Sequence, residues 1–115
     1  MRNNLKLIVN NKFYNTKKER FFVKKELQKI LNLYARKVSS GDWKDYGLSV
    51  NKKEITFDIY ERTSEKPIYR ISKNLSPKNR AEKFYVLDKN GKVIKRSESI
   101  DNLVNLEWSK LKLVK

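Results

Sequence analysis

The chain has no cysteine and no histidine among its 115 residues. That excludes disulfides, thiolate nucleophiles, zinc sites built on Cys or His, and imidazole acid–base catalysis. Any chemistry would have to rest on carboxylates, lysines or hydroxyls. Glycine occurs three times, at 41, 47 and 91, which cannot make a phosphate-cradling loop. Long apolar runs are also missing. They reach three or four residues, as in "LIV" at 7–9 and "FYVL" at 84–87, far below the ~20 residues that cross a membrane. The start "MRNNLKLIVNN" lacks the apolar stretch of about 7–15 residues found in a secretory signal. A cytoplasmic protein is expected, with no membrane partner and no cofactor or metal. With 38% apolar residues, 36% charged residues and two prolines, the composition is that of one globular domain over residues 1–115, burying roughly two-thirds of its unfolded surface.

What the chain has in excess is positive charge. Its formal net charge is +15, and the distribution is uneven. Residues 1–40 carry a net +9, residues 41–69 a net −1, residues 70–96 a net +7, and residues 97–115 none. Two basic blocks flanking a neutral middle point to a polyanionic partner, most simply DNA or RNA. The competing reading is compositional. Lysine outnumbers arginine 21 to 7 beside 12 asparagines, the bias of an AT-rich genome, and such lysines can sit on solvated faces and bind nothing in particular.

Periodicity supplies the architecture. Residues 1–15 alternate weakly, as one or two short strands or a loosely attached arm. Val23, Leu27, Ile30, Leu31, Tyr34 and Val38 recur at helical spacing, which predicts a long amphipathic helix with Lys24, Lys25, Lys29, Arg36 and Lys37 off the stripe. Gly41 stands where a helix C-terminus takes a left-handed residue, and Arg36 and Lys37 suit the negative end of the helix dipole. In "EITFDIYE" the residues Ile55, Phe57 and Ile59 make one apolar strand face. "PIYRIS" reads as the next strand, with Pro67 at its start. Asn90-Gly91 in "KFYVLDKNGKVIKR" predicts a two-residue type I′ hairpin. That register pairs Leu87 with Ile94, Val86 with Lys95 and Tyr85 with Arg96, and leaves both hairpin faces partly apolar. Ser99 is a candidate N-cap for a second helix, whose stripe would be Ile100, Leu103, Val104, Trp108 and Leu111. The expected fold is α+β: an antiparallel sheet of about four to six strands packed by a long N-terminal helix and a C-terminal helix.

The stretches "ELQKILNLYARKVSSGDWKDY", "RTSEKPIYRI" and "NGKVIKR" resemble a small alphaproteobacterial family of conserved proteins of unknown function. The matching motifs are Glu26-Leu27, Ile30 to Tyr34, Gly41 to Tyr46, Ser64 to Ile71 and Gly91 to Arg96, in order within residues 22–113. The family often has an acidic helix cap where this chain has Val23, and arginine where it has Glu61. The resemblance implies a bacterial cytosolic protein. It brings no activity, cofactor or site with it.

Three constellations are candidates for function. The first combines aromatics and cations: Trp43 with Lys44, Tyr69 with Arg70, Tyr85 opposite Arg96, and Arg62, Lys73 and Lys95. Sheet proteins that bind single strands stack bases on aromatics, worth about 1–3 kcal/mol per base, while cations track phosphates. The plain alternative for Trp43 is a plug over the end of the helix, and for Tyr69 and Tyr85 a place in the core. The second is the helix surface, with Lys17, Lys18, Arg20, Lys24, Lys25, Lys29, Arg36 and Lys37. It has few side chains that read bases, so backbone contacts with little sequence readout are expected. The third is a carboxylate–lysine nuclease site from Asp58, Glu61 and Lys73, or from Asp42, Lys44 and Asp45. Neither spacing matches a recognisable signature.

The reading that follows is a non-enzymatic nucleic-acid-binding protein contacting mainly phosphates. The alternative is a protein-interaction or small-ligand module, a homodimer or a protein partner covering one sheet face. A metal-dependent nuclease comes third.

Overall fold

The computed structural model describes residues 20–62, 66–108 and 111. The strand or arm expected over residues 1–15, together with Lys17, Lys18 and the Ser64-Glu65 part of one motif, lies outside the described residues.

Helix α1 runs from Lys24 to Ser39. Its start is fixed by Glu26, whose Oε1 accepts from the Val23 backbone N–H at 2.8 Å, half of a capping box. It ends in a Schellman arrangement: the Gly41 N–H donates to Val38 O at 3.0 Å and the Asp42 N–H to Lys37 O at 2.9 Å. Gly41 sits at φ +85°, a left-handed position that glycine occupies without steric cost.

Strands β1 (Asp45–Val50), β2 (Glu54–Tyr60), β3 (Tyr69–Asn74), β4 (Phe84–Asp88) and β5 (Val93–Ser97) follow, with a 3₁₀ turn at Arg80–Glu82 before β4 and a short helix α2 at Ile100–Val104. The strands form one antiparallel sheet in chain order, a meander. Helix α2 packs against α1, β4 and β5. The fold is α+β, as expected.

Strand alternation divides the sheet into two unlike faces. Ile55, Phe57, Ile59, Tyr69, Ile71, Phe84 and Val86 point to the helix side and pack with Ile30 and Leu33 of α1. The other face, called the outer face, carries Ser49, Thr56, Asp58, Arg70, Ser72, Tyr85 and Arg96, aligned by the strand register.

Three sequence expectations are corrected. In α1 Ile30 is buried and Leu27, Leu31 and Tyr34 pack against the core as expected, but the ends of the expected stripe, Val23 and Val38, are exposed and Glu26 and Leu33 are buried in addition.

The β4–β5 connection is a three-residue loop rather than a two-residue one. The Gly91 N–H donates to Asp88 O at 3.0 Å and the Asp88 N–H to Lys92 O at 2.8 Å, with Gly91 at φ +83°. This is a turn closed by a left-handed glycine. Asp88 Oδ1 holds it by accepting from the Asn90 and Lys92 N–H groups, both at 2.9 Å. Val86 pairs with Lys95 and Tyr85 with Arg96 as expected, but a bulge leaves Leu87 opposite Val93, not Ile94.

The terminal helix stops at Val104. The Asn105 and Leu106 N–H groups still close onto Asp101 O and Leu103 O, at 3.0 and 3.2 Å. Trp108 then leaves helical register to pack edge-on against Trp43, with ring centroids 5.4 Å apart.

Lys73 sits in the middle of the helix-side face and is 1% exposed. Its Nζ donates to Glu26 Oε1 at 2.8 Å and to Phe21 O at 3.0 Å. A buried charge is tolerable only when paired and hydrogen-bonded, so this contact ties the start of α1 to β3. Lys73→Met alone or Glu26→Leu alone is expected to lower unfolding free energy by about 3–5 kcal/mol, whereas the double variant should cost much less. Urea denaturation of the three variants checks this; equal losses in the single and double variants would contradict the pairing.

Candidate nucleic-acid interface

The outer face is polar and internally hydrogen-bonded. Thr56 Oγ1 and Ser72 Oγ lie 3.1 Å apart across β2 and β3. The Ser49 hydroxyl donates to Asp58 Oδ2 at 2.9 Å, and Arg70 Nε lies 3.4 Å from Asp58 Oδ1. Asp58 is buried while the Arg70 side chain stays about half exposed. Tyr85 donates its hydroxyl to Glu54 Oε1 in a short contact. Burial, followed by the Glu54 hydrogen bond and charge, pushes the Tyr85 phenol up to about 12, with Ser72 and Arg96 pulling the other way.

Two clefts border this face. One, of about 280 Å³, is lined by Lys66, Pro67, Arg70, Asp88, Lys89, Asn90 and Gly91. In a meander the β2–β3 and β4–β5 connections lie at the same end of the sheet, and that is what brings Lys66 and Lys89 to Arg70. Among the described lining residues the one carboxylate is that of Asp88, whose Oδ1 accepts from two backbone N–H groups of the turn. The other cleft, of about 260 Å³, is lined by Asn74, Glu82, Tyr85, Val93 and Arg96.

The structure separates the residues proposed from sequence into three groups. Arg70 and Arg96 reach the outer face. Trp43, Tyr69 and Lys73 are 3%, 5% and 1% exposed, and Trp43 and Tyr69 only border a cleft of about 200 Å³ away from the outer face. Trp43 and Tyr69 lie among the rings of Tyr34 and Trp108 at centroid distances of 5.1–6.5 Å, so neither can stack a base. Lys73 is consumed by Glu26. The remaining cations lie elsewhere. Lys25 and Arg36 are exposed on α1, on the opposite side of the sheet from Arg70 and Arg96. Lys29 is 2.6 Å from Asp101. Lys95 is exposed but, opposite Val86, belongs to the helix-side face. Lys44 and Arg62 are exposed where β1 begins and β2 ends.

Among the described residues the cations of the two basic blocks therefore do not gather on one face. The set Asp58, Glu61 and Lys73 is not brought together, since Asp58 and Lys73 project from opposite faces. In the set Asp42, Lys44 and Asp45 the carboxylates are held by Ser40 and Lys37 and by the Tyr46 N–H. Among the described residues no three acidic side chains group to hold a metal ion. Lys66 and Lys89 were missed from sequence because they lie in connections without periodicity, and only the adjacency of two hairpin ends brings them together.

These features define a basic α+β protein: an antiparallel meander backed on one face by a helix and polar on the other. The chain belongs to the family described as "Protein of unknown function (DUF2794)", whose model matches residues 20–104. No curated protein and no solved structure matches it. Among the described residues no helix is long and apolar enough to cross a membrane.

The Tyr85 phenol provides a direct probe of the outer face. Because its folded value lies above the ordinary 10.0, its contribution to stability is complete below about pH 10 and is lost as pH rises through about 12. The near-ultraviolet titration difference between the wild type and Tyr85→Phe is expected to have its midpoint near 12; a midpoint at the ordinary value would mean that the phenol is neither buried nor bonded to Glu54.

Proposed function

We propose that this is a small cytoplasmic bacterial protein that binds nucleic acid without catalysis. It holds phosphates on the outer face and in the Lys66–Arg70–Lys89 cleft, with little readout of base sequence. The observation that carries the proposal is this cleft, where the exposed Lys66 and Lys89 flank Arg70, which also pairs with Asp58, and where Asp88 Oδ1 accepts two N–H groups of the turn. The net charge of +15 adds long-range attraction for a polyanion. Base stacking has no support on Trp43 or Tyr69, so affinity is assigned to phosphate contacts, which position a nucleic acid without specifying its sequence.

Titration against single- and double-stranded DNA and RNA tests this reading. With about six phosphate contacts, raising salt from about 50 to about 200 mM should weaken binding on the order of a thousandfold. Lys66→Ala, Lys89→Ala and Arg96→Ala should each weaken binding similarly across sequences and lower the salt slope by about one. Trp43→Phe should leave the slope unchanged. A flat titration at low salt would overturn the proposal.

A further inference from the structure

The two edges of the sheet are built differently. Edge strands expose unpaired backbone groups, and proteins usually blunt them with lysine, proline, bulges or a covering segment. At the β5 edge the bulge opposite Leu87 breaks the register, and Lys95 and Arg96 lie within the strand. β1, the other edge among the described residues, has the sequence DYGLSV, without lysine or proline, and residues 45–50 hold an unbroken register with β2.

The free backbone groups of β1 can be assigned. The Asn51 N–H donates to Glu54 O at 3.0 Å. With the observed register, this makes Asp45, Gly47 and Ser49 the residues that bond to β2. By alternation, Leu48 and Val50 aim their N–H and C=O groups off the sheet. The Tyr46 N–H is taken by Asp45 Oδ1 at 2.8 Å. Tyr46, Leu48 and Val50 are also 41%, 42% and 60% exposed, so open backbone and apolar side chains coincide along one edge.

The charge around β1 indicates what pairs with it. Lys44 precedes the strand and Lys52 and Lys53 follow it, all exposed, while of the neighbouring carboxylates Asp42 pairs with Lys37, Asp45 Oδ1 accepts the Tyr46 N–H and Glu54 accepts the Tyr85 hydroxyl. A second copy paired antiparallel about Leu48 would set Lys44 against Lys52 twice and join two chains of net charge +15. We infer that β1 accepts an extended acidic segment of a partner protein as a sixth strand, with alternate apolar side chains covering Tyr46, Leu48 and Val50 and its acidic groups near the three lysines. Strand addition of this kind draws affinity from backbone hydrogen bonds and specificity from alternate side chains.

The full chain is titrated with a labelled peptide of about ten alternating glutamates and valines. The control is the same peptide N-methylated on every second amide, prepared in both phases. Charge is unchanged by methylation, so strand pairing requires at least one phase to bind about tenfold more weakly or worse. Leu48→Pro and Val50→Pro remove outward N–H groups without breaking a bond to β2. Each should weaken the acidic peptide by a similar factor while circular dichroism stays that of the wild type. Two variants guard against one failing to fold. Binding unaffected by methylation or by proline, or no binding of the acidic peptide, overturns the inference. So does a stable dimer of the protein alone that Val50→Pro dissolves, which would assign the edge to a second copy.

Discussion

The pairing of Lys73 with Glu26 is the constraint around which the structure is arranged. An ammonium inside an apolar face must find a carboxylate and further acceptors, or it destabilises the fold by several kcal/mol. Glu26 meets that demand from the first turn of α1 while also capping the helix through the Val23 N–H. The Phe21 carbonyl completes the set. That contact fixes the first turn of α1 over β3, and Ile30 and Leu33, with Leu27, Leu31 and Tyr34 beside them, pack the rest of the helix onto the sheet.

With α1 committed to one face, strand alternation decides what the other face offers. The alternate residues of β2, β3 and β4 from Ile55 to Val86 are consumed in the core, and the intervening ones are Glu54, Thr56, Asp58, Tyr60, Arg70, Ser72, Asn74, Tyr85 and Leu87. The outer face is therefore a hydrogen-bonded polar surface whose cations lie at its margins, where two hairpin connections meet. A surface of this kind suits contacts to phosphate oxygens better than stacking, because Trp43, Tyr69 and Trp108 are buried away from it and Tyr85 is held to Glu54.

Much of the fold was legible in the chain. The C-terminal glycine of α1, the alternation of β2, the Ser99 cap and the pairing of Tyr85 with Arg96 rest on local chemistry, and each is present. The corner role of Trp43 was also readable from its place after a helix stop. The Asn90-Gly91 dipeptide was misleading, because the Asp88 carboxylate captures two N–H groups of the turn and moves the left-handed glycine to the third loop position. The extent of α2 was overdrawn because Trp108 is buried with apolar spacing, yet gets there outside the helix. The candidate site was less legible, since neither which cations share a face nor the meeting of Lys66 with Lys89 is encoded in local pattern.

By itself the sequence determined the absence of thiol and imidazole chemistry, the surplus of cations, and the order of helix and strands, since each depends on composition or on short-range periodicity. Only the tertiary structure decided which cations remain available. The parity of Lys73 and Arg70 in one strand sends one into the core and the other to the outer face, and that choice depends on which side α1 packs. Burial of Trp43 and Tyr69 and the exposure of the β1 edge are likewise properties of the assembled sheet, because a strand becomes an edge only through the neighbours it lacks.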